Sequence, residues 1–185
     1  MPDGWLPQAR RVSCPNWDER PPGTAVDLLV IHGISLPPGV FGGPWIDDLF
    51  RNRLDPENHP CFRAIARLRV SSHLLIRRDG ELIQYVDLYK RAWHAGVSCF
   101  EGREACNDFA IGIELEGTDQ VPYEEIQYRV LAQATQAIRA RFPDIGPERI
   151  VGHSDIAPGR KTDPGAAFDW EYFRALIRAD EDRGR

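Results

Sequence analysis

No stretch of this sequence approaches the roughly 18–20 consecutive apolar residues that a membrane-spanning helix requires. The opening MPDGWLPQARR lacks the basic start and apolar run of a secretory signal. Neither a membrane protein nor an exported one is expected, and the reading is a cytosolic chain. An excess of basic residues is also missing: 23 Lys and Arg face 28 Asp and Glu, a net charge of −5. That balance gives no footprint for nucleic acid. The four cysteines, at 14, 61, 99 and 106, form no CxxC pair and do not have the spacing of a zinc ribbon. Without an export signal they read as reduced thiols rather than a disulfide framework. Internal repeats and low-complexity segments are absent too. What remains, 185 residues of which 42% are hydrophobic and 28% charged, suits a single domain over 1–185 that buries a core without staples.

The elements that are present alternate between strand and helix periods. VDLLVIH (26–32) reads as a buried strand, followed by a loop, GISLPPGVFGGPW (33–45), with four glycines and three prolines. IDDLFRNRL (46–54) suits a short helix. SSHLLIRRDGELIQYVD (71–87) holds two strand-like runs around Asp79-Gly80, a dipeptide favoured in type I′ hairpins. FAIGIELEG (109–117) alternates, with Ile111, Ile113 and Leu115 on one face and Gly112, Glu114 and Glu116 on the other. PYEEIQYRVLAQATQAIRARF (122–142) predicts a long amphipathic helix with a stripe of Ile126, Val130, Leu131, Ala134, Ile138 and Phe142. RIVGH (149–153) is a short strand and DWEYFRALIRA (169–179) a last helix. The fold class is α/β: a mixed central sheet of about five strands flanked by helices, with the site in a groove at one face of the sheet.

Chemistry concentrates in GHSDIAPGRKTDPG (152–165), which has too much turn chemistry for a helix and too much charge for a core strand. His32 and His153 each close a strand and open a stiff loop. Two neutral imidazoles and one carboxylate make a three-ligand zinc site of the catalytic kind, which keeps a position open. Asp163 and Asp155 are equally good third ligands by proximity, and spacing does not choose between them. Glu114 sits mid-strand among isoleucines; a buried carboxylate is costly unless it meets water, a cation or a metal, and it is a candidate general base. Lys161, two residues before Asp163 in an extended segment, could stabilise an oxyanion. Trp93, beside His94 in RAWHAG, offers a platform for a sugar or peptide. A thiol hydrolase using Cys99 or Cys106 with His94 is a further reading, although nothing nearby lowers a thiol pKa.

VIHGISLPPGVFGGPWID, LRVSSHLLIRRDGELIQYV, RAWHAGVS, CNDFAIGIELEGTD and GHSDIAPGRKTDPGAAFDW, taken in this order, resemble the zinc N-acetylmuramoyl-L-alanine amidases. The resemblance runs from about Trp5 to Leu176. It is strongest to the bacterial cytosolic type that cleaves 1,6-anhydro-N-acetylmuramyl peptides in cell-wall recycling. It implies that His32, His153 and Asp163, not Asp155, are the zinc ligands. It implies Glu114 as the catalytic glutamate and Lys161 as the residue assisting the tetrahedral intermediate, with Arg69 and Trp93 lining the substrate groove. The implied partner is an anhydro-muramyl peptide substrate, with no nucleic acid, no membrane and a monomeric enzyme. The alternatives are an amidase of intact peptidoglycan and a non-catalytic peptidoglycan-binding module. One departure stands out: the family usually has Asn after its first histidine, and here the residue is Gly33. An Asn amide could donate to a substrate carbonyl, so Gly33→Asn is expected to tighten the Michaelis constant without changing zinc content.

Overall fold

The middle strands are buried on both faces because both faces are covered, one by helices and the other by loops with apolar clusters of their own. The structure, a computed structural model, describes residues 3–183, with side chains through residue 179. In chain order its strands are β1 (Arg10–Arg11), β2 (Trp17–Asp18), β3 (Leu28–Ile34), β4 (Leu74–Ile76), β5 (Leu82–Gln84), β6 (Arg91–Ala92), β7 (Cys99–Phe100), β8 (Arg103–Glu104), β9 (Ala110–Glu116) and β10 (Ile150–Gly152). The helices are α1 (Trp45–Phe50), α2 (Phe62–Ile65), α3 (Glu125–Arg139), α4 (His153–Ile156) and α5 (Trp170–Arg183). Six strands form one mixed sheet in the order β1-β5-β4-β9-β3-β10, and two short antiparallel pairs, β2–β6 and β7–β8, lie outside it. No helix among the described residues is long and apolar enough to cross a membrane.

The mixed sheet expected from the sequence is present, with a sixth strand. β1 is two exposed arginines pairing in parallel with β5, so only its backbone marks it as a strand. The hairpin around Asp79-Gly80 is also present, as β4 and β5, but its turn differs. Gly80 has φ +88° while Asp79 stays out of the positive-φ region. Gly80 N donates to Arg77 O at 3.0 Å and Arg77 N to Glu81 O at 3.0 Å. This is a type I turn closed by a glycine bulge rather than a type I′ turn, because only the glycine takes the left-handed position.

β3 and β9 pair in parallel with Leu28 opposite Ala110, Val30 opposite Gly112 and His32 opposite Glu114. Side chains alternate along a strand, so these even-numbered residues share one face. The odd-numbered set, Leu29, Ile31, Ile111, Ile113 and Leu115, is fully buried against Leu131, Ala134, Ile138, Phe173 and Ile177 of α3 and α5. Each such aliphatic side chain contributes about 1.5–3 kcal/mol by its burial. That face holds the fold, which leaves the other free to carry polar groups. The α3 stripe is as expected at Leu131, Ala134, Ile138 and Phe142, which are buried, and departs only in the first turn, where Ile126 is 43% exposed while Gln127 is buried. Gln127 Nε2 donates to the carbonyls of Ile76 and Glu116, and its Oε1 accepts from Glu124 N to close a capping box. The helix start therefore ties itself to two strand ends, and Pro122 and Tyr123 stay outside it.

On the even face, the half-buried Arg20 clasps the proline-rich lead-in to the sheet through its guanidinium. It donates to the carbonyls of Asn107, Asp108 and Ala110 at 3.1, 2.9 and 3.0 Å. Beside it, fully buried His73 accepts at Nδ1 from Gly112 N, 3.0 Å away, so its ring proton sits on Nε2, facing Lys90 O at 3.1 Å. Burial first, then the nearby Arg20 charge, pushes the His73 pKa from 6.5 down to about 3. The native state thus holds a neutral ring where the unfolded chain would protonate. Its contribution is complete above pH 6.5 and is lost as pH falls from 6.5 towards 3. Urea unfolding of the metal-free protein should therefore lose about 2 kcal/mol between pH 7.5 and 5 on account of this group alone, at ~1.4 kcal/mol per pH unit below 6.5. The His73→Gln variant should show a correspondingly shallower decline, and an equal decline in both proteins would refute the assignment.

Candidate metal centre

β3 and β10 are parallel neighbours with Gly152 paired to Ile31. His32 is the next residue on β3, and His153 begins α4 directly after β10. Both rings are buried on one side of the sheet, with centroids 4.4 Å apart. Their Nδ1 atoms lie 2.9 Å apart, and each faces Asp163 Oδ2, His32 at 3.3 Å and His153 at 3.1 Å. Two imidazole nitrogens and a carboxylate oxygen thus converge within a space that could hold a metal ion. Three lone-pair donors this close repel one another unless a cation or proton lies among them. Asp163 is held from its backbone, since Ser154 N donates to Asp163 O at 3.0 Å.

The choice between the two aspartates, open on spacing, rests on one hydrogen bond. Asp155 Oδ2 accepts from Gly152 N at 2.7 Å, which closes the start of α4. Its carboxylate is committed to the helix start. Asp163 Oδ2 is the one that meets both histidines.

Glu114 stands beside His32 in register and is 9% exposed. Its Oε2 is buried without a hydrogen-bond partner among the described residues. Burial raises the Glu114 pKa well above the ordinary range, the Asp163 charge adds to that, and Lys161 opposes it. His32 is pushed down to about 4, chiefly by burial. Lys161 has an exposed side chain whose charge reaches both His32 and Glu114. Glu116 shares the strand face but not the site. Its carboxylate accepts from Arg77 Nη1 at 3.1 Å, Gly42 N at 2.7 Å and Arg78 N at 3.3 Å, so it ties the glycine-rich loop to the hairpin.

Arg69 and Trp93 form no hydrogen bond or ion pair with this cluster. Arg69 is exposed, and its side chain has no hydrogen bond or ion pair among the described residues. Trp93 is half-buried, with Nε1 donating to Asp18 Oδ1 at 3.2 Å. The thiol reading fails on geometry. His94 bonds neither Cys99 nor Cys106; its Nδ1 pairs with His32 Nε2 at 2.9 Å. Burial of Cys106 raises its thiol pKa, the wrong direction for a nucleophile.

The N-acetylmuramoyl-L-alanine amidase family model matches residues 22–166, a span that contains every residue of the cluster. The chain belongs to this family. It is 60% identical over 178 residues to the 1,6-anhydro-N-acetylmuramyl-L-alanine amidase AmpD of Salmonella typhimurium (strain SL1344), covering 96% of this chain and 95% of that protein. A crystal structure of a Se-Met AmpD derivative superposes with a TM-score of 0.93 at 59% identity, covering 96% of this chain and 98% of the other. A complex of the E. coli amidase AmiD with anhydro-N-acetylmuramic acid-L-Ala-D-gamma-Glu-L-Lys superposes with a TM-score of 0.59 at 30% identity, covering 85% of this chain and 60% of the other.

Tyr123 was not legible as part of this neighbourhood. Its hydroxyl donates to Pro164 O at 3.0 Å, one residue from Asp163. A Cβ at Gly33 would lie 2.4 Å from that hydroxyl. A side chain at position 33 therefore requires the Tyr123 hydroxyl to shift. Gly33→Asn, expected to tighten the Michaelis constant, carries this packing demand as well. Gly33→Ala should destabilise the protein by about 1–3 kcal/mol, the usual cost of overpacking. Combined with Tyr123→Phe it should cost less than the sum of the single changes, because the clashing oxygen is gone. Urea midpoints of the four proteins test this, and simple additivity would exclude the conflict.

Proposed function

We propose that this chain is a zinc-dependent amidase that hydrolyses the bond between the lactyl group of 1,6-anhydro-N-acetylmuramic acid and the L-alanine of the stem peptide. The observation that carries the reading is the buried Glu114 carboxylate with a free oxygen, in register with His32 beside a two-nitrogen, one-oxygen cluster. The donor set fits zinc: it is the three-ligand kind that leaves one position for substrate, and no thiolate closes it. In this reading His32, His153 and Asp163 hold the ion. When bound, zinc supplies Lewis acidity, lowering the pKa of water towards about 7 and polarising a carbonyl.

Glu114 takes a proton from water on its free Oε2 and returns it to the departing amine. Burial raises its pKa, which helps the carboxyl hold the proton between the two transfers. The Lys161 charge meets the negative charge that grows on the carbonyl oxygen, where a pre-oriented cation contributes most. Arg69 and Trp93 line the groove on the sugar and peptide side. The whole chain, 1–185, acts as one domain and as a monomer in the cytoplasm, on fragments rather than intact wall. The AmiD complex supports the sugar assignment, because its bound substrate carries the anhydro ring.

Purified protein should hold about one zinc per chain, measured by elemental analysis, and should lose activity to a chelator and regain it with zinc. Asp163→Ala should abolish retention of the metal and Asp155→Ala should not; the reverse pattern would move the third ligand. Glu114→Gln should keep zinc and fold while losing at least ~10²-fold in turnover, the weight of a general base. Substrate choice is tested by supplying anhydro-muramyl tripeptide, reducing muramyl tripeptide and polymeric peptidoglycan separately and following peptide release by chromatography. The first should be hydrolysed much the fastest. Comparable release from the polymer would favour an amidase of intact wall.

A further inference from the structure

The two metal-facing histidines present Nδ1 inwards, so each must carry its ring proton on Nε2 if Nδ1 is to donate to a metal. What lies beyond each Nε2 decides whether that tautomer is the stable one. His153 Nε2 faces the carbonyl oxygen of Ala95 at 3.1 Å. A carbonyl only accepts, so this contact favours the Nε2–H form. His32 Nε2 faces Nδ1 of His94 at 2.9 Å. The nearest outer partners of both histidines therefore come from one dipeptide, His94–Ala95, with Arg160 Nη2 further from His153 Nε2 at 3.5 Å.

That dipeptide is itself held from two sides. Asn107 Oδ1 accepts from His94 N at 3.0 Å and from Ala95 N at 2.8 Å. The ring of His94 lies over Gly112 on β9, where an added Cβ would come within 2.6 Å of the imidazole. Gly112 is thus the seat of the ring, and its lack of a side chain lets His94 reach His32. Arg160 Nη2 donates to the same Ala95 carbonyl at 2.6 Å, which fixes the acceptor that meets His153.

We propose that His94–Ala95, clamped by Asn107 and seated on Gly112, is the outer shell that selects the Nδ1-donor tautomer of both His32 and His153. His94 and Asn107 are positioning residues: neither touches the metal space, and each acts through a ligand. In this proposal His32 Nε2–H donates to His94 Nδ1, so His94 carries its own proton on Nε2, an atom that is buried without a hydrogen-bond partner among the described residues. Asn107 acts one step further out, holding the backbone from which both contacts start. The inference rests on the zinc reading of the cluster.

The experiment measures zinc affinity of the folded protein by competition with a chromophoric chelator, for the wild type and four variants. His94→Leu and Asn107→Ala should bind zinc roughly 10–100-fold more weakly, the usual effect of losing an outer partner. His94→Asn, whose side-chain oxygen can take the place of Nδ1, and Asn107→Asp, which keeps the acceptor, should recover most of the loss. Long-range 15N–1H spectra of the zinc-loaded wild type should show His32 and His153 protonated at Nε2 and His94 protonated at Nε2. A role in folding alone would lower the urea midpoint and leave the zinc dissociation constant of the folded protein unchanged. Affinities of His94→Leu and Asn107→Ala within twofold of wild type, or a His94 ring protonated at Nδ1, would overturn the proposal while leaving the zinc reading intact. A wild type that binds no zinc would remove both.

Discussion

Three neighbouring strands, β9, β3 and β10, run parallel and finish at the same edge of the sheet, and this shared direction is the constraint on which the site depends. Parallel pairing puts residues of equal depth side by side. Glu114 therefore stands next to His32, and the chain leaving β10 turns into α4 at His153. An antiparallel arrangement would have sent one of these groups to the far edge. Open sheets with parallel strands collect their ligands outside the carboxyl ends of the strands for this reason. The loop carrying Asp163 then has only to fold back onto a position already defined.

The two faces divide the labour. The odd-numbered residues of β3 and β9 bury aliphatic side chains under α3 and α5, and that layer has no polar side chain from either strand. The even-numbered face carries the groups that are costly to bury: His32, Glu114 and Glu116, with His73 and His94 packed on it. Each has its own compensation, an arginine for Glu116, a backbone donor and acceptor for His73, a neighbouring ring for His32. Two atoms here have no hydrogen-bond partner among the described residues, His94 Nε2 and Glu114 Oε2, and of these the uncompensated buried oxygen next to the converging nitrogen and oxygen donors marks where chemistry takes precedence over stability.

Much of this was legible in residue order. The alternation of AIGIELE by itself assigns Glu114 and Glu116 to one face, and the five strands with an interior period are where their patterns put them. β1 has no such pattern; two arginines join the sheet through backbone alone. Of the α3 stripe only Ile126 was misread, because Gln127 is drawn inwards by the capping box and by strand-end carbonyls rather than by hydrophobicity. In the site, the positions of His32 and His153 at strand ends could be read, but the preference for Asp163 over Asp155 could not. Both sit on the same stiff loop, and one hydrogen bond to Gly152 N separates them. The role of His94 was hidden for a different reason: its partner lies 62 residues away in the chain. Family resemblance supplied what spacing left open.

The bare Cα of Gly112 has a consequence for how this sequence can change. Any side chain there collides with the His94 ring, so position 112 is closed to every other residue while position 94 remains histidine. The two positions form an epistatic pair. A lineage that drifts at 112 must first give up the ring that rests on it, and with that ring the support of His32. Movement along this path is therefore ordered, with 94 changing before 112. Sequences that carry a larger residue at 112 should be those in which the outer partner of the first histidine has been rebuilt from another element.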